Sequence, residues 1–258
     1  QNPDWSIFLP QTNISVWETG KKADRLSLLQ YLRQTQAETA LELLQSTWQT
    51  ELVKDKVDFL KTFSVGISKS DEPFLETCTQ DKRKSVRTEA TKLLATIEDS
   101  ALVERMYQRV LACFSFKKGH LSIQLPDEVD EEAVKDGINP TLQMYSGGLK
   151  ASRLGQMMAK IPPQRWELFF KENAHTCLQI FIRSPWSAVI LQALVEASLS
   201  FPQSDWIKAI TAYWVKESDL EIWEHPVLKK FIPIIPSEVF NEVIRPYLKY
   251  HTGLLDEQ

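Results

Sequence analysis

The segment Asp81-Lys-Arg-Lys-Ser-Val-Arg-Thr-Glu-Ala-Thr-Lys-Leu-Leu-Ala-Thr-Ile97 constrains the fold more than any other part of this chain. Val86, Ala90, Leu93, Leu94 and Ile97 recur at the spacing of one face of a 3.6-residue helix, with Arg87, Glu89 and Lys92 between them. Such a helix cannot bury its apolar stripe alone and has to pack on neighbouring helices. A chain of these units presents surfaces made jointly by several helices rather than one enclosed catalytic pocket.

Most of the remaining sequence repeats this theme. Residues 1–20 carry Pro3, Pro10 and Gly20 without a period and are expected to form an extended lead. Helical repeats are expected over 21–115. Leu26, Leu29 and Leu32 mark a first helix near Ala23–Gln34, and Thr35-Gln-Ala-Glu38 has the pattern of a capping box for a second. Ala40, Leu41, Leu44 and Trp48 share a side of that second helix. Val53, Val57, Leu60 and Phe63 form a third stripe, and Ser70-Asp-Glu-Pro73 supplies a cap and an early proline for a short fourth helix. Asp99 is expected to cap the helix that carries Leu102, Val103, Met106 and Val110.

The pattern changes over 116–148. Leu121, Ile123 and Leu125 alternate with polar residues after Lys118-Gly119, which fits a small hairpin. An acidic run, Asp127 to Glu132, then Asp136-Gly137, Pro140 and Gly147-Gly148 mark an irregular connection, the expected boundary between two halves. Residues 149–258 return to helical repeats. Leu154, Met157, Met158 and Ile161 share a face, Pro162-Pro163 opens a helix with Trp166, Phe169 and Phe170, and Ser184, Ser204 and Ser237 are expected caps of the last three. Pro246 should stop the final one. The fold class is therefore all-α with a short non-helical insert.

Asp81, Val86, Arg87, Ala90, Leu93 and Leu94 resemble the signature of the second helix of a HEAT repeat: an aspartate, then Val-Arg, then Ala and Leu. The resemblance implies a HEAT-like α-α superhelix in which Asp81, Val86, Arg87, Ala90 and Leu94 are structural, the aspartate and arginine tying adjacent repeats together. More broadly, Trp17-Glu-Thr-Gly20, Asp71-Glu-Pro-Phe-Leu75, Asp81 to Leu94, Asp136-Gly-Ile138 and Pro162-Pro-Gln-Arg-Trp166 resemble an uncharacterised bacterial family of HEAT-like proteins. That family occurs beside AAA-type ATPases and von Willebrand factor A-domain proteins. The resemblance implies a cytoplasmic accessory or scaffold role, and it carries no catalytic residues.

Composition narrows the function classes. The formal net charge of −4 gives a global field that repels nucleic acid and anionic membrane. Cys78, Cys113 and Cys177 are scattered, with no CxxC pair, as expected of buried thiols in a reducing compartment. No run approaches the roughly 18 apolar residues of a membrane span. Gln1-Asn-Pro-Asp lacks the basic and apolar regions of a signal peptide. The eight tryptophans fall mostly within periodic segments, where packing is the ordinary role of a large amphipathic ring.

Candidate sites are few. Lys82, Arg83, Lys84, Arg87 and Lys92 form the one dense basic group; diluted by Asp81, Glu89 and Glu98, it fits a solvated helix face better than a nucleic-acid contact. Lys82, Arg83, Lys84 and Lys92 are the candidate partner contacts. The Asp127 to Glu132 carboxylates lack the spacing of a calcium loop and fit a negatively charged helix start. Ser146-Gly-Gly-Leu-Lys150 lacks the spacing of a phosphate loop and fits a turn. His120, His175, His225 and His251 show no zinc spacing, and no GxSxG elbow is present, so no catalytic, cofactor or metal residue is assigned.

The expected function is a non-catalytic protein-protein interaction scaffold or accessory protein, with an AAA-type ATPase system as the setting the resemblance implies. The alternative is a nucleic-acid-binding or DNA-repair protein using the Lys82 to Lys92 face, because HEAT-like superhelices of the alkylpurine DNA glycosylase type bind DNA through basic concave faces. A hydrolase would have to assemble from residues distant in sequence.

Overall fold

The computed structural model describes residues 14–217 and 230–245, and among these described residues the fold is all-α apart from one two-stranded hairpin. Two compact units divide between Ile97 and Glu98.

In the first unit the helices are α1 (Ser15–Thr19), α2 (Lys22–Thr35), α3 (Ala37–Thr47), α4 (Val53–Thr62), α5 (Glu72–Cys78) and α6 (Lys84–Leu94). Helix α2 packs on both α3 and α4, α4 packs on α6, and α5 pairs with α6. The apolar stripes meet as the periodicity requires: Leu29, Leu32, Ala40, Leu44, Leu60, Phe63, Val86, Ala90 and Leu94 are fully buried. The expected extended lead is corrected at its end. Ser15–Thr19 is helical because Trp17 is buried, with its ring against Phe59 and under the Arg25 guanidinium. Tertiary burial here outweighs the lack of a local period.

Two expected caps of this unit are also corrected. Thr35 remains within the last turn of α2, where its hydroxyl donates to the Tyr31 carbonyl, so the capping box with Glu38 does not form. A capping box is made instead by Ser68 and Asp71, ahead of the single 3-10 turn that leads into α5; Ser70 is not the cap. Asp71 does more than cap. It accepts two hydrogen bonds from Arg33 of α2, and both side chains are buried.

The second unit contains α7 (Ala101–Cys113), strands β1 (Phe114–Lys117) and β2 (His120–Ile123), and helices α8 (Glu131–Lys135) and α9 (Gly148–Met158). Helices α10 (Arg165–Phe170), α11 (Ala174–Ile182), α12 (Ser187–Ser200) and α13 (Ser204–Glu217) follow, then a short helical segment, Ser237–Val239 continued by Phe240–Ile244. The expected hairpin forms, with Phe114 opposite Ile123 and Lys117 opposite His120. Lys118 and Gly119 both take positive φ, as a two-residue turn joining twisted strands requires. Phe114 and Phe116 lean on Phe169, Phe170 and Phe181 beside the buried Trp166, so an aromatic cluster anchors the hairpin.

The irregular connection does not separate two halves. It is strapped onto helices of its own unit: Arg105 and Arg109 of α7 hold the buried Asp136 carboxylate, Gln156 of α9 exchanges hydrogen bonds with the Asn139 backbone, and Ser152 does so with Met144 and Leu142. The Tyr145 ring lies so close to α9 that a Cβ at Gly155 would approach it to 2.7 Å. The acidic run starts a helix as expected, Asp130 capping α8 by accepting from the Ala133 amide. The cap of α7 is Ser100 rather than Asp99, its hydroxyl accepting from the Val103 amide. Ser184 accepts from the Trp186 amide and shapes the turn before α12 instead of capping that helix directly. Trp166, Trp206 and Trp214 are buried and Trp186 half-buried. Trp5, Trp223 and Pro246 lie outside the described residues.

Candidate functional site

A polar groove of about 450 Å³ opens in the first unit, lined by residues from three separate stretches: Trp48, Gln49 and Glu51; Val53 and Lys56; Thr77 and Gln80 to Arg83. Its position follows from the packing of α4 on α6, which draws the α3–α4 turn towards the α5–α6 loop. The turn is fixed by Trp48, whose ring meets Phe74 edge-on at 5.1 Å. The Lys56 ammonium sits 4.7 Å from the same ring and 3.4 Å from the Asp81 carboxylate. Asp81 also accepts from the Arg83 amide at 2.8 Å, which shapes the chain just before α6.

The fixed anions of this groove are already partnered. Glu51 takes two hydrogen bonds from the Arg25 guanidinium, which lies against Trp17 and Phe59, and Asp81 faces Lys56. Lys82 and Arg83 differ. Both are exposed, and their side chains make no ion pair among the described residues. The groove thus offers two uncommitted cations over a floor held rigid by ion pairs and ring contacts.

Each residue singled out in the sequence now has a place. Val86, Ala90 and Leu94 are fully buried on α6. Arg87, half-buried, donates to the Asp81 backbone carbonyl at 2.8 Å, so the arginine closes its own loop while the Asp81 carboxylate reaches Lys56 on the neighbouring α4. Arg87→Ala should therefore lower unfolding free energy by about 1 kcal/mol, the usual loss for one such bond, in a urea titration. Of the candidate contacts, Lys82 and Arg83 reach the groove. Lys84 is exposed beyond it, and Lys92, 75% exposed and 3.9 Å from Glu89, lies about two turns further along α6. Sequence reasoning missed Gln49, Glu51, Lys56 and Gln80 as site residues, because nothing in their spacing reveals that two loops and the start of α4 converge.

The other candidates resolve into packing or solvent. Burial pushes the Cys78 and Cys177 thiols up to about 12 and raises that of Cys113, so all three free thiols stay protonated near neutrality. His120 and His175 are exposed; His225 and His251 lie outside the described residues. Gly147 and Gly148 make the turn that opens α9. Asp127 is paired with Lys150.

Among the described residues of the second unit, one amine has a lowered pKa. Lys160, just past α9, donates to the Gln156 carbonyl at 3.2 Å, and desolvation lowers its pKa to about 8 against the pull of Asp136 and Glu196. Glu196 itself accepts from the buried Tyr145 hydroxyl at 2.5 Å, and burial followed by this carboxylate raises the phenol. The folded-state pKa of Lys160 lies below its ordinary 10.5, so the unfolded chain binds the extra proton between those values. Stability lost to the buried charge below about pH 8 is regained as pH rises towards 10.5. Lys160→Met should therefore melt several degrees (about 3–6 °C) above the parent at pH 7, and this gap should shrink at pH 10. A gap independent of pH would show that packing, not charge, sets the difference.

Every stretch that carried the broader resemblance is now accounted for by structure: buried Trp17, the Asp71–Arg33 pair, the α6 face, Asp136 held by two arginines, and buried Pro162, Pro163 and Trp166. A family model matches residues 1–255, almost the whole chain. The chain belongs to DUF5691, a family of unknown function. No curated protein and no solved structure matches it. No helix among the described residues is long and apolar enough to cross a membrane.

Proposed function

We propose that this chain is a non-catalytic protein-binding scaffold of HEAT-like helix pairs, an accessory to an ATPase-linked assembly in the bacterial cytoplasm. The observation that supports this reading is the groove of the first unit, where uncommitted Lys82 and Arg83 stand over ion-paired walls. Such a surface offers directional contacts to a partner at little reorganisation, because Glu51, Lys56 and Asp81 are already held in place. The helices beneath it contribute support, with buried apolar residues fixing the loops that carry the charges. The ATPase setting, the bacterial source and the cytoplasmic location rest on the family resemblance.

The test is site-specific crosslinking in the source cell. A Gln49→p-benzoylphenylalanine variant, with the photoreactive group at the groove mouth, should give a protein adduct on irradiation. The same group placed at Lys92, away from the groove, should not give it. A nuclease-sensitive adduct would instead favour the nucleic-acid alternative, and the absence of any protein adduct from position 49 would remove the groove as a scaffold surface.

A further inference from the structure

We infer that the groove of the first unit receives an acidic segment of a protein partner in extended conformation, its carboxylates on Lys82 and Arg83 and its backbone on the amides of Gln49 and Gln80. This rests on the scaffold reading and adds the chemistry of the partner.

The charge pattern points to carboxylates. Within the groove Arg25 neutralises Glu51 and Lys56 faces Asp81, so the unmatched charge is the pair Lys82 and Arg83. They are consecutive residues, so their Cα atoms are about 3.8 Å apart, while side chains on one face of an extended strand repeat roughly every 6.6 Å. Two long, exposed basic side chains can splay across that interval. Around them stand exposed side-chain amides. The Gln49 side chain makes no hydrogen bond among the described residues, and Gln80 uses only its amide nitrogen, towards the Thr79 hydroxyl. Carboxamides provide both donors and acceptors, which is what an extended backbone needs from a groove wall. A volume of about 450 Å³ suits a few residues, not a folded domain.

The same features disfavour a nucleic acid. The single aromatic ring in the wall, Trp48, is 7% exposed and occupied by Phe74 and the Lys56 ammonium, so it offers no face on which a base could stack. The unmatched cations of the groove number too few for the multiple phosphate contacts that dominate nucleic-acid affinity.

The probe is a fluorescein-labelled eight-residue peptide of alternating glutamate and serine, titrated with the full chain and followed by anisotropy. Binding is expected with a Kd below about 1 mM, whereas a lysine-serine peptide should not bind. The Lys82→Ala/Arg83→Ala double variant should weaken the interaction at least about tenfold, and Lys92→Ala should change it less than about twofold. Lys82→Glu/Arg83→Glu should exchange the preference, losing the glutamate peptide and gaining the lysine peptide. Both positions are exposed, so melting temperatures of these variants should match the parent. Failure of the glutamate peptide to bind, binding that survives the double variant, or tighter binding of an eight-nucleotide oligothymidylate would each overturn the inference. A protein adduct at Gln49 combined with no peptide binding would sink this inference and leave the scaffold reading standing; loss of both would sink both.

Discussion

Asp71→Ala should lower the unfolding free energy of the first unit by about 3–5 kcal/mol, the range for breaking a buried ion pair by removing one partner. The reason lies in what Arg33 loses. Its guanidinium is fully buried and sits 4.2 Å from the Phe63 ring. Nη1 and Nη2 each donate to Asp71 at 2.8 Å, and the remaining donors reach the backbone carbonyls of Val65, Gly66 and Ala37. Asp71 also accepts from the Ser68 amide at 2.9 Å, so alanine removes both the counter-charge and the closure of the turn into α5. A charge then remains in the interior with only neutral carbonyls around it. Urea unfolding followed by circular dichroism measures the effect as a drop in midpoint at unchanged slope. A double change, Arg33→Met with Asp71→Leu, should recover much of the loss, since the penalty belongs to the orphaned charge and not to the missing pair. A loss under about 1 kcal/mol for Asp71→Ala would mean that water reaches Arg33.

The same residue shows where the sequence speaks and where it is silent. Asp71 is legible as part of a helix start, because an acidic residue just before Glu72-Pro73 is local chemistry. Its partner Arg33 lies in a helix whose sequence gives it no distinction from Arg25 or any surface arginine. Helix faces are legible for a similar reason: Val86, Ala90 and Leu94, or Leu154, Met157 and Met158, carry their period within a dozen residues. The hairpin at Lys118-Gly119 is legible through its turn. Caps are less so. Thr35 and Asp99 have the right chemistry, yet capping depends on which residue leaves helical φ and ψ, and here Gln36 and Ser100 do so.

The groove lies between these cases. Lys82 and Arg83 stand out as a basic cluster, whereas Glu51, Lys56 and Gln80 become neighbours only when α4 packs on α6. Periodicity shows that those helices must pack on something; it does not show which loops their ends will bring together. Most residues that carried the family resemblance turned out to be pins and core, while the uncommitted Lys82 and Arg83 lie within one of those stretches, between Asp81 and the buried face of α6. A pinned loop can present an exposed pair reproducibly, which links the structural role of Asp81 to the proposed role of Lys82 and Arg83.

Ala90→Asp should prevent the first unit from folding. Ala90 is fully buried between Val86 and Leu94 on the face of α6 that meets α4 and α5. Aspartate adds both volume and a carboxylate to a site fitted to one methyl group. An unpaired ionised carboxylate in such a site either protonates or unfolds the chain, at several kcal/mol in either case. Against a typical total stability of about 5–15 kcal/mol for a domain, that loss adds to the clash with packed side chains. The expected outcome is insoluble protein, or a chain whose first unit lacks a cooperative melting transition. Two companions separate charge from site: Ala90→Ser adds a small group able to donate to a helix carbonyl and should fold with modest loss, and Lys92→Asp places the carboxylate on the exposed face of the same helix and should fold normally. If Ala90→Asp melts with the parent while Lys92→Asp does not, α6 turns its other face inward. Lys92 would then be buried and Ala90 exposed, and the groove residues at the start of that helix would no longer be held as described.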